Sequence, residues 1–352
     1  MNYDLGSVTD SFEIIVTSSP VYEIALGIAA FTWPEISDKL ERTPEQWRDL
    51  TRSVSNELEA AVALAGQVNT WRCLLFVVQR CDTLRDQPLE KHVAFLCEWM
   101  QSNEPSVVSL ASPYVGRKHA QALVDAINGN QEQQGFLLRE YRGDPLVYPN
   151  LEYLFQVQPR QLLHHLTVLL TQWDAEVIQE HRILLETLTA DATQKQRLAL
   201  TTSAMDLIRM ATNGDELRPE PGLEQIVLIP QISYRPFTIY QRLADRAVLY
   251  YPVQDDLMPG LLESRSALQV ANLFKAVGDV NRVRILKLLR AAPRAVTEIG
   301  QHLELSKSTA HHHLTLLRSA GLVRVEDGLY TLDTSQVAKI HKPLWSLLGI
   351  GE

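Results

Sequence analysis

The stretch 305–323, LSKSTAHHHLTLLRSAGLV, carries three consecutive histidines inside a strongly helical pattern. With an advance of about 100° per residue, Ala310, Leu314 and Leu317 fall on one side of the helix and predict its buried stripe. His313 falls near the edge of that stripe. The residues that point away from it are small and polar or carry imidazoles: Ser308, His311, His312 and Thr315.

The three histidines diverge around the helix, because neighbours in sequence do not share a helical face. A single metal ion needs nitrogen ligands that converge at about 2.0–2.1 Å, which three adjacent helical positions cannot provide. No serine, cysteine or carboxylate is spaced as a catalytic partner. A metal site would need further ligands from elsewhere in the chain or from a second subunit. The two main interpretations are a polar face in contact with solvent, and a face that enters a DNA major groove and binds bases and phosphates. The second is favoured.

The segments around this helix have a recognisable order. A helix over 268–277 precedes the run VNRVRILKLLR, in which Val283, Leu286 and Leu289 predict one apolar stripe. A short helix, AVTEIGQHL, and the tight turn LELS lead into the histidine-bearing helix, which Gly321 closes. Two short strands joined at Asp327-Gly328 and a last helix over 334–348 follow. This order predicts a winged helix-turn-helix domain over residues 267–352.

Charge is distributed unevenly between this domain and the rest of the chain. The whole chain has a net charge of −9, yet residues 267–352 contain eleven Lys and Arg against seven Asp and Glu. The first 266 residues contain 22 against 35. A basic end on an acidic body is the asymmetry expected when that end meets a polyanion.

The runs LFKAVGDVNRVRILKLL and VTEIGQHLELSKSTAHHHLTLLRSAGLV closely resemble the ArsR/SmtB-type winged-helix repressors. The resemblance covers about 80 C-terminal residues and implies a homodimer whose recognition helix, 306–320, binds an operator in double-stranded DNA with two half-sites. Arg282 and Arg284 either reach phosphate or only solvate their own helix. The other DNA contacts implied are Lys307, Ser308, Thr309, His311, His312, Thr315 and Arg324.

Two departures from the family pattern remove its familiar metal sites. Arsenic-sensing members carry a Cys-x-Cys pair where this chain has Ala295 and Thr297, and zinc-type members place paired ligands on the last helix, where His341 stands alone. The tip of the wing is acidic, Glu326-Asp327, which leaves Arg324 as its plausible phosphate anchor. No metal and no cofactor are therefore expected.

The fold class predicted for the whole chain is mainly α (α+β). Residues 1–213 are expected to form a large, mainly helical domain that senses a ligand or partner or mediates dimerisation, with an early strand in FEIIVT. Residues 214–266 are expected to form a β-rich connecting element of two or three strands, including a hairpin, packed on that domain. The boundaries lie at the polar, proline-bearing breaks GDELRPEPG and DDLMPG.

The chemistry of this long region is not readable from sequence. It has no phosphate-loop or dinucleotide-binding motif and no HExxH. His164 and His165 are predicted to be packing or surface residues rather than ligands. Cys73 and Cys81 predict buried thiols, with a metal or redox sensor as the alternative for these two and Cys97. Neither a membrane span nor a secretion signal is expected, and the three cysteines fit a cytoplasmic protein.

Three functions remain open at this stage. The leading one is a non-enzymatic DNA-binding transcriptional regulator, a repressor by its family resemblance, whose N-terminal region responds to an unknown small-molecule effector. The second is an enzyme that the winged-helix tail tethers to DNA. The third is a scaffold whose winged helix binds protein.

Overall fold

The computed structural model describes most of the chain. The described residues are 12–33, 40–42, 44–52, 54–178, 182–212, 217, 222–254, 257, 270–271, 273–326, 329–338, 340–348 and 350. The chain divides into two compact units, Met1–Thr193 with Pro221–Val253, and Gln194–Glu220 with Gln254–Glu352. The fold is mainly helical with little sheet, as predicted.

The first unit contains one sheet and most of the helices. Its strands are β1 (Glu13–Val16), β2 (Gln225–Gln231), β3 (Ile239–Arg242) and β4 (Arg246–Pro252). The described helices of this unit are α1 (Pro20–Thr32), α2 (Pro44–Leu50), α3 (Asn56–Val68), α4 (Trp71–Arg80), α5 (His92–Ser102), α6 (Val107–Leu110), α7 (Ala120–Ile127), α8 (Gln131–Glu140), α9 (Tyr148–Leu154), α10 (Pro159–Trp173) and the first part of α11 (Arg182–Ala199). α11 continues past Thr193 into the second unit, to which α12 (Ala204–Ala211) also belongs.

The sheet has the strand order β1-β2-β4-β3. β1 pairs in parallel with β2, and β2 pairs in parallel with β4. β3 and β4 form the antiparallel hairpin that the sequence predicted. The segment around residues 214–266 is therefore more than a connecting element, because its strands complete a sheet that begins at residue 13. The polar break over 214–221 lies largely outside the described residues.

The two inner strands are buried along almost their whole length. Burial on both faces is typical of parallel sheets and explains their continuous apolar runs. α1 begins at Pro20 with Ser19 as its N-cap, whose hydroxyl accepts from the Val21 N–H at 3.3 Å. The buried carboxylate of Glu23 accepts hydrogen bonds from the N–H groups of Ile232 (3.0 Å) and Ser233 (2.7 Å). These bonds join α1 to the segment that follows β2.

Among the described residues, no single helix combines the length and the apolar composition that crossing a membrane requires. Helices α3 and α4 together meet both criteria, but the chain bends by 87° between them.

The helices of the first unit pack around buried aromatic and aliphatic side chains. The rings of Phe31, Trp47 and Trp173 meet with centroids 6.4–6.5 Å apart. Cys73 and Cys81 are buried free thiols, and burial raises the pKa of Cys73 to about 11. A thiol that stays protonated at neutral pH is a weak nucleophile and a poor metal ligand, which agrees with the packing interpretation.

His165 is buried, whereas His164 is exposed. The Nε2 atom of His165 lies 2.6 Å from Oγ1 of Thr70, which is fully buried. A hydroxyl proton left without an acceptor in the interior is costly, so the threonine is expected to donate to Nε2. Burial, followed by the charge of His164, lowers the pKa of His165 to about 4.

This lowered pKa predicts acid sensitivity. Between about pH 6.5, the ordinary value for an unfolded histidine, and pH 4, the unfolded chain binds more protons at residue 165 than the folded chain. Stability is therefore present above that window and falls as the pH falls through it, by about 2 kcal/mol at pH 5. Glutamine at position 165 can still accept a hydrogen bond from Thr70 but does not titrate. We therefore expect His165→Gln to lose this pH-dependent part of the free energy of unfolding, measured in urea at pH 7.5 and 5. His164→Gln is the control and should retain most of it, because burial is the larger cause of the lowered pKa; equal pH dependence in both variants would contradict the assignment.

The second unit contains the predicted winged helix-turn-helix elements. Residues 270–271 and 273–277 are helical. The elements that follow are α13 (Val280–Ala291), α14 (Val296–Leu303), α15 (Lys307–Ser319), β5 (Val323–Glu326), β6 (Leu329–Leu332), α16 (Thr334–Ala338) and α17 (Lys342–Leu347). Asp327 and Gly328, the predicted turn, lie outside the described residues, as does the side chain of Glu326.

Two local predictions for this unit were wrong. The buried positions of α13 are Ile285 and Leu289, with Leu286 partly buried against the same core, whereas Val283 is 50% exposed. The predicted stripe is therefore right at Leu286 and Leu289 and wrong at Val283. The last helix is two helices instead of one over 334–348. Pro343 explains the break, since proline lacks the N–H needed to continue the preceding helix and is favoured in a first turn.

Candidate nucleic-acid interface

The turn between α14 and α15 is tight because the chain passes directly over Gly300. The Leu305 N–H donates to the Gly300 carbonyl at 2.9 Å. A Cβ placed on Gly300 would lie 3.0 Å from the Leu305 carbonyl oxygen. Glu304 takes the left-handed conformation (φ 55°) that ends α14, and Ser306 then caps α15 by accepting from the Thr309 N–H at 3.1 Å. Gly300 thus fixes the angle at which α15 leaves the turn.

Gly300→Ala is expected to destabilise the second unit by about 1–2 kcal/mol. Glycine to alanine inside a helix normally stabilises by up to about 1 kcal/mol, but here the methyl group meets a backbone carbonyl that cannot move without disturbing the turn. Gly135→Ala in α8 is the control, because its Cβ would meet only the flexible end of Arg139 at 3.4 Å. Urea unfolding should show opposite signs for the two variants; stabilisation by both would contradict the close approach.

α15 is held by its predicted stripe. Ala310, Leu314 and Leu317 are fully buried, which confirms the predicted face. They belong to a core that also contains Ile285, Leu289, Ile299, Leu322, Val323 and Tyr330. The helix ends at Gly321 (φ 69°), where the N–H groups of Gly321 and Leu322 donate to the carbonyls of Arg318 and Leu317. This is the Schellman pattern, and it confirms the predicted role of Gly321.

The opposite side of α15 is exposed and polar. Thr309, His311 and His312 are exposed, and Thr315 is half-buried with its hydroxyl donating to the His311 carbonyl at 2.9 Å. The side chains of Lys307 and Ser308 lie outside the described part of the chain. No acidic residue occurs between Glu304 and Glu326, so this face carries no negative side chain.

His313 points inward, away from the other two histidines. It is 8% exposed, with Nδ1 lying 3.4 Å from Nη1 of Arg282 and 3.8 Å from the carboxylate of Asp279. Burial lowers the pKa of His313 more than Asp279 raises it. The described residues contain no group of three or more His, Cys, Asp or Glu side chains placed to hold a metal ion.

Arg282 and Arg284 are placed differently. Arg282 donates from Nε to the Ala276 carbonyl and from Nη2 to the Lys275 carbonyl, both at 2.7 Å. It therefore ties α13 to the helical residues before it, a role that the sequence analysis missed. Asp279, the N-cap of α13, accepts from the Arg282 N–H at 3.0 Å. The sequence did contain one indication of these contacts: Asp279 is a typical N-capping residue and stands directly before α13. Arg284 is exposed.

The wing is a two-stranded antiparallel ribbon, β5-β6. The backbone of Arg294 pairs with that of Tyr330 and extends the ribbon on its other side. Arg324 lies on β5 with its side chain 54% exposed and forms an ion pair with the carboxylate of Asp333. Asp333 also accepts from the Gln336 N–H at 3.1 Å at the start of α16. The predicted anchor of the wing is thus accessible but already paired.

A helix held on a tight turn, with an exposed polar face and an adjoining two-stranded wing, defines the winged helix-turn-helix class. Residues 279–325 match the family model described as bacterial regulatory protein, arsR family. The cadmium resistance transcriptional regulatory protein CadC homolog of Staphylococcus aureus is 34% identical over 84 residues, which cover 22% of this chain and 69% of the relative. The chain belongs to the ArsR family.

Two further relatives match this chain over shorter lengths. The HTH-type transcriptional regulator NmtR of Mycobacterium tuberculosis is 37% identical over 62 residues, 18% of this chain and 52% of the relative. The transcriptional repressor SdpR of Bacillus subtilis is 36% identical over 52 residues, 15% of this chain and 58% of the relative. This chain thus spans between half and three fifths of the length of these two relatives. No solved structure matches the chain.

Proposed function

We propose that this chain is a cytoplasmic, dimeric DNA-binding transcriptional regulator, without enzymatic activity of its own, whose DNA affinity responds to the state of its N-terminal region. The observation that carries the proposal is the exposed polar face of α15, held on a fully buried stripe and free of acidic side chains. Imidazole, hydroxyl and ammonium groups on such a helix can bind base edges and phosphates in a major groove.

The proposed DNA contacts fall into two groups. Thr309, His311, His312 and Thr315 are proposed to face the groove, together with Lys307 and Ser308 in the first turn of α15. Arg284 and Arg324 are exposed and can reach phosphate, Arg324 after exchanging its pairing with Asp333. Arg282 is expected to contribute through the position of α13, because its guanidinium already donates to two carbonyls.

The proposed dimer is supported by apolar side chains that the second unit leaves exposed. Val280 and Val283 on α13 are exposed, as are residues at the C-terminal end: Trp345, Leu347, Leu348 and Ile350. Several exposed large apolar side chains in so small a unit are typical of an interface between subunits. Relatives named as transcriptional repressors make repression the expected sense of regulation.

Selection from genomic DNA fragments with the purified full-length chain tests the function. We expect enrichment of sites with two related half-sites about 10 base pairs apart, or a multiple of that, bound at about 10⁻⁸–10⁻¹¹ M and weakened steeply by salt. Selection with the His311→Glu/His312→Glu variant runs in parallel as the control. Failure to enrich any sequence above that control would overturn the proposal in favour of a protein-binding scaffold or a tethered enzyme.

A further inference from the structure

Helices α3, α9 and α10 of the first unit leave an open groove of about 580 Å³ between them. This volume lies within the range of small-molecule sites, about 300–1,000 Å³. The wall of the groove is largely apolar and includes one aromatic ring: Ala60, Ala61, Leu64, Tyr153, Val157 and Val168. An apolar body of drug-like size could be partly removed from water here.

The fixed charge on the lining is negative. Glu57 lines the groove, and the described residues of the lining include neither lysine nor arginine. One carboxylate oxygen of Glu57 accepts from Nε2 of Gln172 at 2.5 Å, and the other lies 4.0 Å from Nε2 of His164. The amide of Gln172 orients the carboxylate without neutralising it, so Glu57 keeps its charge for a ligand.

The lining also contains two histidines, and neither is a fixed cation of the lysine or arginine kind. His165 is bonded to Thr70 and buried, and its pKa of about 4 keeps the ring neutral. His164 is exposed, and its Nε2 lies 4.0 Å from a carboxylate oxygen of Glu57. A cation in the groove is thus attracted by the negative charge of Glu57. An anion is repelled by the same charge, and no lysine or arginine of the described lining compensates for it.

We propose that this groove binds a bulky apolar organic cation, of the quaternary ammonium or tetraarylphosphonium class. The apolar wall buries the body of the ligand, the Tyr153 ring contributes cation–π attraction, and Glu57 supplies the opposite charge. Charge complementarity selects this class over apolar anions of the same shape. The site is independent of the DNA-binding face; its role as an effector site rests on the proposed function.

Titration calorimetry of the full-length chain at about pH 8 tests the site with two probes of equal shape and opposite charge. We expect tetraphenylphosphonium to bind at least about 10-fold more tightly than tetraphenylborate. Glu57→Gln should weaken phosphonium binding by about 10-fold and reduce the preference between probes. Glu59→Gln, on the same helix, exposed and outside the lining, should leave both unchanged. Equal affinity for the two probes, or equal effects of the two substitutions, would overturn the proposal.

Filling the groove gives an independent measurement. Ala60 is exposed on the groove wall, so Ala60→Trp should occupy the space without disturbing the core and reduce phosphonium binding at least about 10-fold. Ala63→Trp adds the same side chain to an exposed position of α3 outside the lining and should have no effect. Equal binding by these two variants would place the cation elsewhere.

A separate experiment tests the effector role. It measures how tetraphenylphosphonium changes the affinity of the chain for a selected DNA site. We expect at least about a 5-fold shift for the wild type and a smaller shift for Glu57→Gln at the same phosphonium concentration. Because calorimetry is done without DNA, loss of DNA binding would not affect the test of the site. Cation binding without any shift in DNA affinity would remove the effector role.

Discussion

Replacing His311 and His312 together with glutamate is expected to weaken DNA binding by about 1,000-fold or more. The two positions lie on the exposed face of α15, and a dimer would carry four new carboxylates. Each carboxylate near a phosphate costs about 1 kcal/mol even at the dielectric constant of water, and every 1.4 kcal/mol corresponds to a tenfold change in affinity. Fluorescence anisotropy with a selected DNA site measures the effect.

His311→Asn/His312→Asn is the matched control for charge at the same positions. Asparagine keeps the capacity to hydrogen-bond bases, so we expect this variant to lose much less affinity, about 10–100-fold. Neither position contributes to the buried stripe, and both variants should unfold at the same temperature as the wild type. Binding by the glutamate variant within about 10-fold of the wild type would exclude α15 as the recognition helix.

Val283→Asp combined with Leu348→Asp is expected to convert the proposed dimer into monomers and to raise its dissociation constant at least about 100-fold. The two side chains are 50% and 60% exposed, so the isolated subunit should tolerate the change. In a symmetric interface each substitution occurs twice, and burying an unpaired carboxylate costs several kcal/mol. Sedimentation velocity over a range of concentrations measures the equilibrium.

Val124→Asp is the control for this pair, because Val124 is an equally exposed valine, at 48%, in the first unit. It should leave the dimer unchanged. If the double variant sediments as a dimer over the same concentrations as the wild type, the apolar side chains of α13 and the C-terminal end do not form the interface.

The winged-helix unit could be predicted from sequence because its signals are local. The stripe of Ala310, Leu314 and Leu317, the cap at Ser306 and the turn at Gly321 all act within a few residues of one another. Each helix boundary therefore follows from neighbouring residues alone.

The sides on which the helices of this unit contact their neighbours were harder to predict. The sequence alone left Arg282 with two roles, reaching phosphate or solvating its own helix, and neither is what its hydrogen bonds show. Its guanidinium instead meets carbonyls six and seven positions earlier, a contact that depends on the path of the chain before α13. The wrong assignment of Val283 to the buried stripe has the same origin. A basic, weakly amphipathic helix fits more than one apolar face, and only its neighbours decide between them.

The helical content of the first unit could be predicted from sequence, but the arrangement of its strands and helices could not. The run FEIIVT identified β1, yet nothing near it in sequence indicates that its partner is β2, where Glu13 pairs with Gln225. The groove beside Glu57 could not be predicted either, because its lining comes from three helices between residues 57 and 168. Contacts of this kind depend on tertiary packing and leave no periodic signal in the sequence.

The pairing of β1 with β2 has a consequence for how the chain is made and cut. β1 emerges from the ribosome some two hundred residues before its partner, so the sheet can close only late in synthesis, and such distant pairing slows folding. A truncation at residue 213 would leave β1 without β2, β3 and β4 and would expose the apolar surface that they cover. Expression of the N-terminal region alone should therefore extend through Val253.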